Sequence, residues 1–263
     1  MVKNKQRAFS VLGNIAIVNF PDGYKANEKK KFALGILKKH SNISSVLEKS
    51  GKFSGRLRKM KTIVLAGEKT KEVLYSENNC VFRFNIDDTY FSPRLSNERH
   101  EIASMIKKGD NVLVLFAGVS PYSIVIAKNS SASKVVSNEI NKKANKYGEM
   151  NIELNKVKNK VFLMPGDIKR LVVLGKIKEK FDVIVMPRPQ LKDSFLKEAF
   201  RLSKSGTRIY YYDFCKIEDM PLIVEKVKTE AEKAKKKIKI LKIKRAGEIA
   251  PYKVRVRVDF KVL

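Results

Sequence analysis

The sequence predicts a doubly wound α/β domain preceded by a smaller N-terminal α+β domain, and three observations support this prediction. Residues 112–115 are four consecutive apolar residues, as expected for a strand buried on both faces of a parallel sheet. The strand leads through the small-residue turn Phe116-Ala117-Gly118 into an apolar helix that begins near Pro121, a favourable first helical residue. Strand and helix patterns then alternate to the C-terminus, which is typical of a parallel sheet with helices on both faces.

The N-terminal part has a less regular pattern, which predicts mixed strands and helices. Residues 9–19 alternate between apolar and polar side chains around Gly13 and predict a strand. Residues 27–40 place apolar side chains among lysines and predict a basic helix. The remaining predicted elements of this part are strands at 45–47, 61–66 and 79–86, a turn at Gly67, and a helix at 97–107. We place the domain boundary within residues 88–105, which divides the chain into domains 1–100 and 101–263.

From Gly109 onward the elements follow one another regularly. The predicted strands lie at 112–115, 134–137, 160–164, 182–186 and 207–212, and the predicted helices at 122–127, 142–154, 194–202 and 220–235. The last two strands, 238–244 and 254–262, are expected to form an antiparallel hairpin at the edge of the sheet. No Gly/Ser-rich linker, low-complexity tract or internal repeat interrupts the pattern, so one continuous sheet is expected.

The chain is strongly basic, since 56 Lys and Arg residues against 27 Asp and Glu residues give a net charge of +29. A charge of this size exceeds what solubility requires, and its field attracts polyanions, of which nucleic acid is the usual one. A lysine-rich proteome from a hot organism is the alternative explanation, but such proteins normally balance lysine with glutamate. The composition therefore predicts an RNA or DNA partner.

Other classes of protein are excluded by what the sequence lacks. No apolar run is long enough to span a membrane, and the N-terminus has no long apolar core of the secretory type. Cys80 and Cys215 lie far apart and match no metal-ligand spacing, so we expect free thiols in a reducing cytoplasm. The sequence thus predicts a cytoplasmic protein without a membrane span or a metal site.

Acidic residues follow the second and third strands of the regular part. Because the carboxyl ends of parallel strands meet at one edge of the sheet, these acids and the glycine turn are expected to face one ligand. Glu139 suits the two hydroxyls of a ribose and Asp167 the amino group of an adenine, although either acid alone is better explained as a solvated loop residue. The turn lacks the G-x-G-x-x-G spacing of a dinucleotide site, so the pattern favours S-adenosylmethionine. The predicted cofactor-binding residues are Phe116, Ala117, Gly118, Val119, Pro121, Glu139 and Asp167.

Two prolines flank an arginine at the carboxyl end of the fourth strand of the regular part. This segment, Pro187-Arg188-Pro189, is called the ledge below, and its prolines make it stiff. In a methyltransferase, a ledge at this position faces the acceptor base. The alternative is that the prolines only terminate the strand.

Four segments carry a resemblance to a known family: YFSPRLSNER at 90–99, FAGVSPYSI at 116–124, MPRP at 186–189 and APYKVRVRVDF at 250–260. Together with Glu139 and Asp167 they resemble the tRNA guanine-N1 methyltransferase family of archaea and eukaryotes, over nearly the whole chain. The resemblance implies a class I methyltransferase fold, S-adenosylmethionine as the methyl donor, and methylation of the purine at position 37 of tRNA. We expect the N-terminal domain, residues 1–100, to interact with the RNA, and we expect a monomer.

The resemblance implies roles for individual residues as well. Glu98, in the SPRLSNER block, matches the general base that takes the proton from ring nitrogen 1 of guanine. Arg58, in the GRLR segment, matches a cation that supports the developing charge on the guanine. Arg94 and the ledge would shape the substrate site. From the residues alone, Glu98 would instead be a surface helix acid paired with Arg94 or Lys107.

The chain departs from the family pattern at three positions. Ser120 replaces the second glycine of the turn, Val114 replaces an acid of the first strand, and Pro187 replaces the asparagine of an Asn-Leu-Pro ledge. Loss of the asparagine removes a side chain that could hydrogen-bond guanine, and some archaeal relatives also methylate carbon 7 of a tricyclic wyosine precursor. Two further functions stay open: aminocarboxypropyl transfer to a wyosine precursor, and RNA binding without catalysis.

Overall fold

The computed structural model describes residues 8–51 and 60–263, which form two compact units. The first unit runs to Glu77 and includes Val81–Phe91, and the second contains Asn78–Cys80 and Ser92–Leu263. Arg58, to which the resemblance assigns a role, lies outside the described residues.

The first unit contains a four-stranded sheet and a long helix. In order along the sheet, the strands are β1 (Phe9–Leu12), β2 (Ile15–Val18), β3 (Ser45–Lys49) and β4 (Thr62–Gly67), and helix α1 (Ala26–Lys39) connects β2 to β3. The prediction of a single strand over residues 9–19 is wrong, because the chain reverses at Gly13, where φ is 57°. A β-carbon at Gly13 would lie 1.9 Å from the carbonyl oxygen of Leu74, so only glycine fits this turn.

Residues 72–85 form a two-stranded hairpin of β5 (Glu72–Glu77) and β6 (Cys80–Asn85). From the sequence, only the second of these strands is predicted. In β5, Val73 is the single fully buried side chain, so the apolar alternation is too weak to predict a strand. Asn78 and Asn79 form the turn with positive φ values of 47° and 58°, a conformation that asparagine tolerates better than most residues.

The second unit is a seven-stranded sheet whose strands alternate with helices. The helices are α2 (Ser96–Ser104), α3 (Pro121–Asn129), α4 (Lys142–Leu154), α5 (Ile168–Val173), α6 (Leu196–Leu202) and α7 (Met220–Lys233). The strands are β7 (Asn111–Leu115), β8 (Lys134–Glu139), β9 (Val161–Pro165), β10 (Phe181–Met186), β11 (Ser203–Lys216), β12 (Ile238–Ala250) and β13 (Lys253–Val262). They lie in the order β12-β13-β11-β10-β7-β8-β9, in which β7 to β11 are parallel and β13 is antiparallel to both of its neighbours. The predicted doubly wound sheet and its antiparallel edge hairpin are confirmed.

Helix α5 is an element that the sequence analysis missed. It has six residues, which is too short for apolar periodicity to be recognised. Asp167 begins this helix, because its carboxylate accepts a hydrogen bond from the backbone N–H of Lys169 at 3.0 Å.

The carboxyl ends of the parallel strands lie along one edge of the sheet, called the functional edge below. Met186, the last residue of β10, pairs with Tyr211, but β11 continues for five more residues to Lys216. Strand β13 accompanies this continuation, since Lys216 pairs with Lys253. We call residues 212–216 and 253–257 the extension. At about 3.3 Å per residue it reaches roughly 16 Å beyond the end of β10.

Candidate active site

The loop after β7 forms a tight turn at the functional edge. Phe116, Gly118 and Ser120 all have positive φ values, between 56° and 67°. This conformation is natural for glycine and costly for the other two residues, so the turn needs support from its surroundings. The backbone N–H of Ala117 supplies part of that support by donating to the carbonyl oxygen of Asn138, on β8, at 2.9 Å.

Glu139 closes the turn from the end of β8. Its Oε2 accepts a hydrogen bond from the backbone N–H of Gly118 at 2.8 Å, and its Oε1 accepts one from the backbone N–H of Asn141 at 2.7 Å. A carboxylate can accept about four hydrogen bonds, so these two do not exhaust its capacity to bind ligand hydroxyls. The structure thus brings Gly118 and Glu139, both predicted from the sequence, into direct contact.

The loop after β9 joins the same cluster. The backbone N–H of Gly166 donates to the carbonyl oxygen of Glu139 at 2.9 Å, and half-buried Asp167 follows directly. The side chain of Asn138 donates to the carbonyl oxygens of Met164 at 2.8 Å and Gly166 at 3.1 Å. The sequence analysis did not single out Asn138, although a polar amide near the end of an apolar strand indicates such a role.

Ser120 adopts a positive φ of 67°, a conformation that glycine favours. Its hydroxyl lies 3.0 Å from that of Ser137, which also receives a hydrogen bond from the hydroxyl of Ser123 at 2.9 Å. A β-carbon at Gly148, on α4, would lie 2.8 Å from the Ser120 hydroxyl. The glycine on the neighbouring helix therefore provides the space that the larger turn residue needs.

Glu98 lies on α2 and is buried, with 7% of its surface exposed. Its Oε2 accepts hydrogen bonds from the Tyr212 hydroxyl at 2.9 Å and from Nη1 of Arg257 at 2.8 Å. Its Oε1 forms an ion pair with Nζ of Lys244 at 2.6 Å. Both cations and the tyrosine come from β11, β12 and β13, so the C-terminal strands hold this carboxylate in place.

The interpretation of Glu98 as a surface acid paired with Arg94 or Lys107 is therefore wrong. Arg94 lies in a 3-10 turn over Pro93–Leu95 and is exposed. Among the described residues, the cations that pair with Glu98 are Arg257 and Lys244, which lie more than a hundred residues away in the chain. A pairing over that sequence distance leaves no local pattern.

Two further acids complete the group around Glu98. Glu101 binds Nη2 of Arg257 at 2.7 Å and also pairs with Lys244, and Asp259 binds Nε of Arg257 at 2.7 Å. Burial alone would raise the pKa of Glu101, but the hydrogen bonds from Arg257 and Lys244 outweigh it and lower that pKa to about 2. We call these side chains the Glu98 network; its members are Glu98, Glu101, Tyr212, Lys244, Arg257 and Asp259.

The ledge differs from its prediction in one respect. Pro187 and Pro189 are half-buried at the functional edge, but the side chain of Arg188 is fully buried. Its guanidinium pairs with Asp213 and donates to the carbonyl oxygens of Leu191 and, at 2.7 Å, of Asp193. The expectation that the Arg188 side chain faces a substrate is corrected, because it points into the protein and holds the loop after β10.

Neither a metal site nor a membrane span is found in the part of the chain that the structure describes. Residues 8–51 and 60–263 contain no group of three or more His, Cys, Asp or Glu side chains able to hold a metal ion. No helix within these ranges is both long and apolar enough to cross a bilayer. Cys80 and Cys215 are free thiols.

The chain matches two models of known protein families. Residues 73–241 match the TRM5/TYW2 methyltransferase domain, and residues 1–70 match the TYW2 N-terminal domain. The tRNA (guanine(37)-N(1))-methyltransferase Trm5b of Pyrococcus abyssi is 34% identical over 97% of this chain and 74% of its own length. The tRNA (guanine(37)-N(1))/4-demethylwyosine(37)-methyltransferase Taw22 of Nanoarchaeum equitans is 30% identical over 97% of this chain and 100% of its own length.

Solved structures give the same result. The crystal structure of wild-type Pyrococcus abyssi Trm5b has a TM-score of 0.83 at 34% identity, over 97% of this chain and 74% of that one. The structure of aTrm5 in complex with tRNALeu has a TM-score of 0.82 at 26% identity, over 97% of this chain and 72% of that one. The similarity therefore extends over nearly the whole chain.

Proposed function

The chain belongs to the TRM5/TYW2 methyltransferase family, and we propose that it transfers the methyl group of S-adenosylmethionine to ring nitrogen 1 of guanine at position 37 of tRNA. The observation that carries this proposal is the similarity to guanine-37 N1-methyltransferases along 97% of the chain. The fold is accordingly that of a class I methyltransferase.

The residues at the functional edge fit S-adenosylmethionine. Glu139 offers its carboxylate to two ribose hydroxyls, while the backbone N–H of Gly118 donates to the same carboxylate and keeps the turn closed. Asp167, at the start of α5, offers a carboxylate to the adenine amino group. The backbone of residues 116–121 supports the rest of the ligand. Phe116, Gly118 and Ser120 have positive φ values in this loop, which turns at the functional edge. When bound, the sulfonium supplies an electrophilic methyl group.

Glu98 is the proposed general base. Ring nitrogen 1 of guanine is a weak nucleophile until it loses its proton, and a positioned carboxylate can accept that proton. Oε2 of Glu98 is held by Tyr212 and by the fully buried Arg257. Oε1 contacts Lys244, the side chain of which is 26% exposed. We therefore assign proton acceptance to Oε1, with Lys244 moving its hydrogen bonds to Glu101.

Positively charged side chains supply the affinity for tRNA. The net charge of +29 gives strong, salt-dependent attraction to phosphates, and a structural relative binds tRNALeu. We propose that residues 1–100 form an RNA-interacting domain, which also contains the base Glu98, and that residues 101–263 form the S-adenosylmethionine-dependent methyltransferase domain. Arg58 and Arg94 are proposed to contact the target nucleotide, with Pro187 and Pro189 bordering it. We also propose that the protein acts as a cytoplasmic monomer.

A second acceptor is supported by one relative. The Nanoarchaeum equitans Taw22 methylates both guanine 37 and 4-demethylwyosine 37, according to its name. In this chain Pro187 stands where an asparagine would offer a hydrogen bond to guanine. A ledge without that side chain imposes fewer polar requirements on the base, so we propose carbon 7 of the wyosine precursor as a further methyl acceptor.

Mass spectrometry of nucleosides tests these proposals together. Purified protein is incubated with S-adenosylmethionine and either unmodified tRNA or tRNA that carries the wyosine precursor. The expected products are 1-methylguanosine and a methylated precursor. A product carrying an aminocarboxypropyl group would instead establish aminocarboxypropyl transfer to the wyosine precursor. If no modified nucleoside forms and tRNA still binds, the protein is a non-catalytic RNA-binding protein.

A further inference from the structure

Arg255 is a largely buried cation that forms no ion pair with an acid in the described part of the chain. It lies on β13 in the extension and is 8% exposed. Its guanidinium lies over the ring of Phe214, with 5.1 Å between the guanidinium carbon and the ring centroid. Among the described residues, no hydrogen bond or ion pair is formed by the Arg255 side chain. The Phe214 ring thus stabilises the Arg255 charge through a cation–π contact.

Residues outside the described ranges offer no acidic partner. Segments 1–7 and 52–59 contain no Asp or Glu. The nearby acids are already engaged, since Glu98 binds Tyr212, Arg257 and Lys244, and Asp259 binds Arg257. The side-chain nitrogens of Arg255 are not among the fully buried, unsatisfied polar atoms of the described residues, so the guanidinium reaches solvent. A guanidinium that reaches solvent and has no acidic partner in the described part of the chain is open to an anionic ligand.

The position of Arg255 indicates which ligand that is. Arg255 pairs in register with Phe214, which lies three residues beyond the level where β10 ends, or roughly 10 Å past the functional edge. It lies on the same face of β13 as Arg257, two residues away, which holds Glu98. It is also close to Tyr122, the pKa of which burial raises to about 12 while the Arg255 charge acts to lower it. Arg255 thus lies beside the proposed base but farther out than the cofactor loops.

We propose that Arg255 and Phe214 form a subsite for a backbone phosphate of the tRNA substrate, next to the nucleotide that is methylated. The inference rests on the proposed function and adds a specific contact to it. A guanidinium binds phosphate oxygens through two parallel N–H donors. The Phe214 ring below the guanidinium keeps these two donors in one orientation. Because the subsite lies outside the cofactor loops, it does not contact S-adenosylmethionine.

Binding measurements with Arg255→Gln, Arg255→Lys and a control variant test the subsite. Lys261→Gln removes one positive charge from the opposite, exposed end of the same strand. Arg255→Gln is expected to weaken tRNA binding about tenfold or more, and to reduce the slope of log affinity against log salt by about one. The tRNA affinity of Arg255→Lys should lie between those of the wild type and Arg255→Gln, since lysine keeps the charge and loses the two parallel N–H donors. Lys261→Gln should leave affinity nearly unchanged.

The same binding data separate phosphate contact from other contacts. The loss in Arg255→Gln should be equal for transcripts with guanine and with another base at position 37. A loss confined to the guanine transcript would mean contact with the base and would overturn the proposal. A loss of S-adenosylmethionine affinity in calorimetry without tRNA would mean contact with the cofactor and would also overturn it. If Arg255→Gln binds and methylates tRNA as well as the wild-type protein does, the subsite is rejected and the proposed function stands. If the wild-type protein neither binds nor methylates tRNA, both proposals are rejected.

Thermal unfolding without tRNA provides an independent test. Arg255→Met keeps the length and packing of the side chain and removes the unpaired charge. If the Arg255 guanidinium serves to bind tRNA, Arg255→Met should unfold at the wild-type temperature or above it, and its affinity for tRNA should be lower. A clear decrease in unfolding temperature would show that Arg255 balances the charge of the Glu98 network, and the subsite would then be rejected.

Discussion

Replacing Glu98 with Gln separates its chemical role from its structural role. The amide oxygen can still accept hydrogen bonds from Tyr212 and Arg257, which bind Glu98 Oε2 at 2.9 and 2.8 Å. The amide nitrogen, however, faces Lys244 where Oε1 now forms an ion pair, and it cannot accept a proton from guanine. The variant thus keeps the shape and two of the contacts and loses the basicity.

The structure sets the size of the expected effects. Loss of the charge-assisted bond to Lys244 should cost about 1–3 kcal/mol of folding stability at most, since Lys244 keeps its bond to Glu101. Loss of general-base catalysis should reduce the rate of methyl transfer about 10²–10⁴-fold. Affinity for tRNA should stay close to that of the wild type. The catalytic loss therefore exceeds what altered stability can explain.

Single-turnover methylation of a transcript with guanine at position 37 is the assay. Glu101→Gln is the matched control, because Glu101 contacts the same two cations but has no proposed proton transfer. Glu101→Gln should keep a rate of methyl transfer close to that of the wild type, because it leaves the Glu98 carboxylate in place. Equal rates in Glu98→Gln and the wild type would refute the assignment. Equal losses in both variants would show that the network, rather than the base, was damaged.

Three further predictions concern stability and cofactor binding. Asp167→Ala should weaken S-adenosylmethionine binding by about 1–3 kcal/mol, the cost of an unpaired polar group, as measured by titration calorimetry. Unchanged affinity in a folded variant would show that Asp167 does not contact the cofactor. The pKa of Glu101 is lowered from 4.5 to about 2 in the folded state, so its contribution to stability is complete above pH 4.5 and is lost as the pH falls towards 2. Between pH 4.5 and 2, the free energy of unfolding of Glu101→Gln, measured by denaturation, should therefore fall less than that of the wild type. Arg188→Leu leaves buried Asp213 without its arginine partner and should reduce the free energy of unfolding by about 3–5 kcal/mol; a urea midpoint equal to that of the wild type would contradict this account of the ledge.

The sequence predicted those parts of the site that depend on local order. The strand-turn-helix run at 112–124 and the acids at 139 and 167 follow directly from strand ends, and the parallel sheet brings these ends together. Strand β5 and helix α5 were missed for the opposite reason, because a strand with one buried side chain and a helix of six residues carry too little periodicity.

Partners that are distant in the chain could not be predicted. Glu98 is buried only because Lys244 and Arg257 approach it from strands near the C-terminus. The inward direction of Arg188 depends on Asp213, which lies on the neighbouring strand. One pattern did contain usable information: residues 254–259 alternate valine with charged residues, which indicates a strand with two covered faces and a polar cluster on one of them. Two residues of the charged face, Arg257 and Asp259, belong to the Glu98 network.

The outer strand of the sheet has a consequence for the behaviour of the protein at high concentration. β12 is an edge strand of thirteen residues that exposes apolar side chains such as Leu241, which would otherwise invite pairing with a second molecule. Its register shifts at three places against β13, and lysines alternate with the apolar residues along it. An irregular, positively charged border repels its own copy. We therefore expect concentrated solutions to resist strand-to-strand aggregation at low salt, where charge repulsion is least screened.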